Sequence, residues 1–332
     1  MKNKFLVFII GLVFFVGGIN LAAASDKQPA TNKQVEFWLA KMHRASHMVN
    51  YQGIFVYGQQ NNLSSMKIVH STDGSSERER LLSLDGTGRE VIRTKNSVTC
   101  ILPDSQSVMV EKKRPKSNFP PAFPVKINEL SKNYHFYLLG KEMVAGQTAQ
   151  KIIINPKDQY RYGHTLWIDE KSGLLLKTYL VDERKQVVEQ FMFTQIDYMD
   201  KVPDELLKPS ISGENFTWYE SGTAHKGDEV NQPSQWRVKQ LPAGFNAEMN
   251  RKHIMPRSGA AMDHLVFSDG LTSISVFIEK HSKKEDQIVG HSRMGAINAC
   301  GRALQDGLHV TVVGAVTHAA VKMICDSVYL KD

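Results

Sequence analysis

The sequence predicts a mainly β protein. A large antiparallel sheet with one helix comes first, and a smaller antiparallel sheet backed by a terminal helix, an α+β unit, follows it. Three observations predict this. Short runs rich in β-branched and aromatic residues recur about every ten residues, bounded by Gly, Pro, Asn, Asp or Ser, which is the spacing of an all-β meander. No helical pattern of about 10–15 residues separates those runs, which excludes a parallel α/β sheet. Apolar side chains at helical spacing occur in residues 31–49 and again near the end, at Val321, Ile324, Cys325 and Val328.

The chain has 332 residues, enough for about two domains. Lys2 and Lys4 precede an uncharged apolar run from residue 5 to 16, and Ala22-Ala23-Ala24 follows. A basic start, a short apolar stretch and an A-x-A site predict a secretory signal peptide, residues 1–24, cut before Ser25. A spanning helix needs about 20 apolar residues, and Gly17, Gly18 and Asn20 interrupt this run too early. Removing the peptide takes the formal net charge from +7 to +5, with 39 basic residues against 34 acidic ones. That mild balance suits an acidic partner or an anionic lipid surface, and there is no block of six like charges to suggest nucleic acid.

Val35, Trp38, Leu39, Met42, Ala45 and Val49 form one stripe, with Thr31 or Asn32 as the cap, so this helix lies on a sheet. Strands are predicted at residues 51–57, 65–70, 77–84, 89–94, 97–102 and 106–113. Pro115, Pro120, Pro121 and Pro124 rule out a central strand in residues 114–125, which read as an excursion over one mouth of the sheet. Strands resume at 134–139 and 147–154. Residues 164–168, 174–181 and 187–194 form the central meander, with Asp169 and Asp182 in its turns, where Asp bonds local backbone. Period-two reading puts Leu174, Leu176 and Leu180 on one face and Leu175, Tyr179 and Val181 on the other.

Composition changes at residues 213–235, which read as a linker between a first domain, 25–212, and a second, 236–332. Phe216, Trp218 and Tyr219 are the residues there able to pin it to a domain. The second domain holds strands at 236–241 and 246–255. A hairpin follows at 264–279 around Asp269-Gly270, a pair suited to primed turns, and another at 296–316. The terminal helix is capped by Thr317.

Enzyme templates fail: there is no nucleophile elbow, phosphate loop or paired-histidine zinc motif. His43 and His47 are one helical turn apart but lack further ligands, so no metal or cofactor is expected. The aromatic excess on the first sheet is the stronger signal. Phe55, Tyr57, Trp167, Tyr179, Phe191 and Phe193 are candidates for an apolar groove lining, weighed against plain core. Lys112, Lys113, Arg114 and Lys116 are candidates for a basic rim that meets phosphate or an acidic partner. Of three cysteines, at most one pair bridges; Cys300 and Cys325 can both face the second domain's sheet–helix interface, while Cys100, alternating with Val98 and Leu102, reads as a buried thiol.

Residues 160–194 (YRYGHTLWIDEKSGLLLKTYLVDERKQVVEQFMFT), with NYQGIFVY at 50–57, REVIRTKNSVTCILPD at 89–104, WRVKQLPAGF at 236–245, HLVFSDGLTSISVFIE at 264–279 and VTVVGA at 310–315, resemble the RseB/MucB family of periplasmic regulators. The resemblance spans nearly the whole mature chain in order. It implies a LolA/LppX-like half-open β-barrel as first domain, and a smaller second domain that helps hold the periplasmic part of an RseA/MucA-like anti-sigma factor. It implies that bound regulator shields that factor from the proteases whose action frees the envelope-stress sigma factor, and that lipopolysaccharide or another lipid displaces it. A homo-oligomer is compatible with this reading. The alternative is a periplasmic lipid or lipoprotein carrier or chaperone with no signalling partner. No enzymatic activity is expected.

Overall fold

Thr31 supplies what the first helix lacks at its start. The computed structural model, which describes residues 28–60, 62–112, 127–221, 232–254, 261–280 and 288–331, places a short strand β1 (Gln28–Pro29) before helix α1 (Asn32–Met48). The Gln34 backbone N–H donates to the Thr31 hydroxyl at 3.3 Å, and the Thr31 N–H donates to Gln34 Oε1 at 3.1 Å. This capping box satisfies two otherwise orphaned donors. Val35, Leu39, Met42 and Ala45 are buried, as their spacing predicts. Each of the three larger ones contributes about 1.5–3 kcal/mol by leaving water.

The first sheet is built from β2 (Tyr51–Gln59), β3 (Asn62–Thr72), β4 (Glu77–Ser83), β5 (Glu90–Arg93), β6 (Ser97–Leu102) and β7 (Ser107–Lys112). After the short helix α2 (Ile127–Leu130) come β8 (Tyr134–Val144), β9 (Gln147–Pro156), β10 (Gly163–Asp169), β11 (Leu175–Val181), β12 (Val187–Tyr198) and β13 (Thr217–Ser221). With β1 they make one 13-stranded sheet in the order β1-β8-β9-β10-β11-β12-β2-β3-β4-β5-β6-β7-β13. β12 pairs with β2, setting Phe191 opposite Tyr57 and Phe193 opposite Phe55. Among the described residues β1 and β13 stand at the two ends of the sheet, which does not close on itself. Helix α1 covers one face, packing Val35, Leu39 and Met42 onto Phe136, Ile152, Ile154, Leu166, Ile168 and Leu175.

Three sequence-based expectations for this domain need correction. Trp167 pairs with Lys177 and Ile168 with Leu175, so Leu176 is an extra residue in β11. A bulge breaks strict alternation. Leu175 and Leu180 therefore share the helix-covered face, through Ile168 and His164, while Tyr179 pairs with Thr165 on the reverse face. Second, the segment read as a linker begins with β13, which pairs parallel to β7 from Thr217↔Ser107 to Ser221↔Glu111. Third, Cys100 is only half-buried; the buried side chain of β6 is its neighbour Ile101. The signal peptide, the proline excursion at 114–125 and linker residues 222–231 lie outside the described residues.

The second domain contains β14 (Trp236–Val238), β15 (Asn246–Ile254), β16 (Ala261–Ser268), β17 (Ser273–Lys280), β18 (Gly290–Met294), β19 (Ile297–Ala303), β20 (Leu308–Gly314), helix α3 (His318–Ser327) and β21 (Val328–Leu330). Six of these strands form one sheet, β15-β16-β17-β20-β19-β18, while β14 pairs with β21 in a separate ladder. Ala320, Val321, Ile324 and Cys325 of α3 are fully buried against Val276, Ile278, Val310 and Val312. Ser268 pairs with Ser273, so Asp269-Gly270 opens a four-residue loop instead of a two-residue primed turn. Asp269 Oδ1 accepts from the N–H groups of Leu271 and Thr272 at 2.9 and 3.0 Å, which fixes that loop. Thr317 is the N-cap of α3 by position, yet its hydroxyl makes no cap bond there.

Candidate functional site

The six lining candidates fall into two groups. Residues directly opposite in paired strands share a face. Thr178 pairs with both Leu166 and Phe191, so Phe55, Tyr57, Phe191 and Phe193 lie on the helix-covered face. Trp167 and Tyr179 lie on the reverse face, because Trp167 pairs with Lys177 and Tyr179 with Thr165, each one residue out of step with the Leu166–Thr178–Phe191 row. The Phe55–Phe191 and Phe191–Phe193 ring centroids are 5.0 and 5.1 Å apart, and all three rings are at most 3% exposed. Their rings are close-packed in this structure, in one hydrophobic cluster that also takes in Trp167, with Tyr57 and Tyr179 packed against it. Tyr57 is the half-exposed member, its phenol pKa raised by burial and by the Glu189 carboxylate.

On the reverse face Trp167 is buried under charged side chains. Lys177 Nζ lies 4.4 Å from the Trp167 ring centroid and 4.7 Å from that of Tyr179, and Lys151 lies 5.0 Å from Trp167. The indole N–H donates to Glu142 Oε2 at 2.7 Å. Hydrogen bonding from Lys151 is the main reason the Glu142 pKa is lowered. Of the basic rim, Lys112 pairs with Glu220 of β13 at 2.8 Å, both exposed. Lys113, Arg114 and Lys116 lie outside the described residues.

The most strongly built polar site is the junction between the domains, and sequence reasoning missed it. The loop joining β9 to β10 reaches across. Arg161 is 1% exposed, and its Nη1 donates to Asp269 Oδ2 of the second domain at 2.9 Å. The same guanidinium bonds the Ala243 carbonyl and Asp158, and sits 5.4 and 5.1 Å from the rings of Tyr134 and Phe245. Tyr134 donates to Asp269 Oδ2 at 2.7 Å; burial and that carboxylate raise its phenol. The Thr317 hydroxyl, absent from its helix cap, donates to the Gln159 carbonyl at 2.7 Å. Asn298 Nδ2 donates to the Tyr162 hydroxyl at 2.8 Å in a buried contact. Tyr160 packs on the second domain's core, and Ala296 packs on Tyr162 and Val188. The available signal was the triplet Tyr160-Arg161-Tyr162, because loops are ordinarily small and polar.

A cavity of about 370 Å³ opens beside this loop, lined by Tyr137, Ile153, Thr165 and Val181, with Asp158, Arg161, Glu183 and Lys185 among its charged residues. His164 borders it, and burial depresses its pKa to about 4. At the far sheet edge Met109, Trp218 and Tyr219 are all more than half exposed. His43 and His47 are in ring contact at 5.0 Å, and His47 also pairs with Glu77 at 2.8 Å. Among the described residues no group of three His, Cys, Asp or Glu is placed to hold a metal.

The thiols of Cys300 on β19 and Cys325 on α3 are brought into side-chain contact, both buried and both unbridged. Burial, then the neighbouring Cys300, raises the Cys325 thiol pKa.

Residues 34–211 match the MucB/RseB N-terminal domain, and residues 230–329 match the MucB/RseB C-terminal domain. The sigma factor AlgU regulatory protein MucB of Pseudomonas aeruginosa is 30% identical over 341 residues, covering 99% of this chain and 98% of that protein. The sigma-E factor regulatory protein RseB of Escherichia coli K12 is 22% identical, covering 98% of each. Among solved structures, MucB in complex with MucA(peri) superposes with a TM-score of 0.67 at 27% identity, covering 89% of this chain and 98% of that one. MucB alone gives 0.61 at 26% identity, covering 92% and 100%.

Proposed function

The chain belongs to the MucB/RseB family, and from that premise we propose that it is a periplasmic regulator that binds the periplasmic part of a MucA-like anti-sigma factor and so restrains an envelope-stress sigma factor. It is a regulatory protein and not an enzyme. The observation that carries the reading is that both domains match in order and that the relative MucB has been solved with MucA(peri), with which this chain shares its two-domain frame.

In this reading the bound anti-sigma segment is shielded from proteases, because a segment held against both domains cannot adopt the extended form a protease cleaves. Lipid opposes it. An acyl chain entering the helix-covered face must part the packed Phe55, Phe191 and Phe193 rings, so it favours a first domain in which those rings are spread over the packed one described above. A ligand that favours the spread form lowers partner affinity by the same coupling factor with which partner lowers lipid affinity. The aromatic core on a sheet that does not close on itself supports the second reading, a lipid or lipoprotein carrier, but a carrier has no need of the second domain or its buried junction.

The test uses the purified mature chain and a synthetic MucA-like periplasmic peptide. Saturable binding, slower cleavage of the peptide by a soluble protease, and release by micellar lipopolysaccharide are the expected results. Lipid binding with no peptide binding establishes the carrier reading instead.

A further inference from the structure

We propose that Cys300 and Cys325 form an intramolecular disulfide that fastens α3 to β19 when the chain matures in an oxidising compartment. The inference rests on the periplasmic location proposed above and on a geometry that does not depend on it. The two residues are far apart in sequence and come from a strand and the helix that covers it. Cys300 lies on the sheet face toward α3, in the same core as Cys325, Ile324 and Val312. Its neighbour on that face of β19, Arg302, donates through Nε to the Cys325 carbonyl at 2.7 Å and through Nη2 to the Val328 carbonyl at 3.0 Å. The C-terminal turn of α3 is thus held against β19 at the level of the two cysteines, and Cys300 is near enough to help raise the Cys325 thiol. Both cysteines are buried.

The chemistry balances by exchange. A thiolate of the pair attacks the disulfide of an oxidising dithiol–disulfide protein, forming a mixed disulfide and releasing one thiolate of the oxidant. The second cysteine, as thiolate, attacks the sulfur of its partner and expels the other. The pair loses two protons and two electrons, and the oxidant leaves as its dithiol. Burial raises the Cys325 pKa in the folded chain, so the thiolate is scarce there. Bridging therefore belongs to the folding stage, while α3 is still undocked, and the finished bond is then protected from reductant. The link reaches beyond the second core. α3 starts at Thr317, whose hydroxyl holds the Gln159 carbonyl of the first domain, and runs into β21, the partner of β14.

The full chain, exported from an expression host and alkylated under denaturing conditions before digestion, is mapped by non-reducing mass spectrometry. A second sample is purified reduced and incubated unfolded-to-folded in oxidised and reduced glutathione. The expected result is a peptide pair linked through Cys300 and Cys325 in both samples, lighter by two hydrogens than the separate peptides, with Cys100 alkylated. Three alkylated cysteines in both samples overturn the proposal. Linkage only in the glutathione sample overturns oxidation in the cell and points to the compartment as the error. The apparent Tm of the second domain should fall by roughly 10 °C or more on reduction. It should not respond to reductant in a Cys300→Ala/Cys325→Ala chain, and an equal response there also overturns the proposal.

Discussion

Replacing Asp269 by Asn tests whether the domain junction depends on one buried ion pair. The Arg161 and Asp269 side chains are both fully buried, 2.9 Å apart. Asn keeps an oxygen for the loop N–H groups of Leu271 and Thr272, so the loop retains its cap. It removes the charge and turns an amide toward donors on Arg161 and Tyr134. Breaking a buried pair by neutralising one member costs about 3–5 kcal/mol, because the other charge stays buried. Asp158 softens this, since its Oδ2 lies 3.1 Å from Arg161 Nη2, so the lower end, about 3 kcal/mol, is expected. The loss should fall on the contact between domains before either core. Hydrogen exchange should speed up at residues 157–162 and 269–272, while the α1-covered core keeps its protection. Urea unfolding of Arg161→Met, Asp269→Asn and the double variant closes a cycle, with a coupling of at least about 1 kcal/mol expected between such neighbours. A coupling near zero, or uniform loss of protection across both cores, would refute the claim that this pair joins the domains.

Glu79 is buried beside Arg93, and burial lifts its pKa from 4.5 to about 7. Its folded form holds a proton more tightly than the unfolded chain, so its contribution is full below pH 4.5 and is lost as pH rises through 7. His164 works the other way: its pKa falls from 6.5 to about 4, so its contribution is full above pH 6.5 and is lost as pH falls through 4. Urea midpoints from pH 4 to 8 should therefore rise on alkalinisation less steeply in His164→Gln, and fall less between pH 5 and 7 in Glu79→Gln; unchanged profiles would remove both assignments. Phe191→Ala, in the packed phenylalanine core, should cost about 3–5 kcal/mol. Exposed Thr194, whose hydroxyl donates to the Ile54 carbonyl at 3.1 Å, should cost about 1 kcal/mol as Ala by chemical denaturation. Gly244 has φ +83°, and an added Cβ would meet Asn133 Nδ2 at 2.0 Å. Gly244→Ala should lower stability by at least about 1 kcal/mol, and an unchanged thermal midpoint would show that the junction yields freely there.

Local signals were legible wherever one element decides its own fate. Thr31 with Gln34, the stripe Val35–Leu39–Met42, the strand at residues 97–102 and the core side of α3 all follow from spacing and caps. What failed depended on distant partners. Leu176 looks like any alternating leucine until its neighbours are paired across the sheet. Residues 217–221 read as linker because their glycine- and serine-rich flanks outweigh five residues whose partner, β7, is remote in sequence. Gly290–Met294, all exposed, carries no burial pattern to read and is a strand only because β19 lies beside it. Trp167 and Phe191 looked equivalent as lining residues; only the pairing of β11 with β10 and β12, which aligns Phe191 with Leu166 through Thr178, sends them to opposite faces.

The pairing of β12 with β2 also imposes an order of events on a nascent polypeptide. Tyr51–Gln59 emerges early, yet one of its two flanks is completed only by Val187–Tyr198. Until then Ile54, Phe55, Val56 and Tyr57 present a bare, sticky strand edge to whatever is near. Synthesis or secretion that stalls before residue 187 leaves that edge without its mate, so truncated products should be sequestered by holdase chaperones or aggregate, and folding of the first domain should be slow because its decisive contact is so non-local.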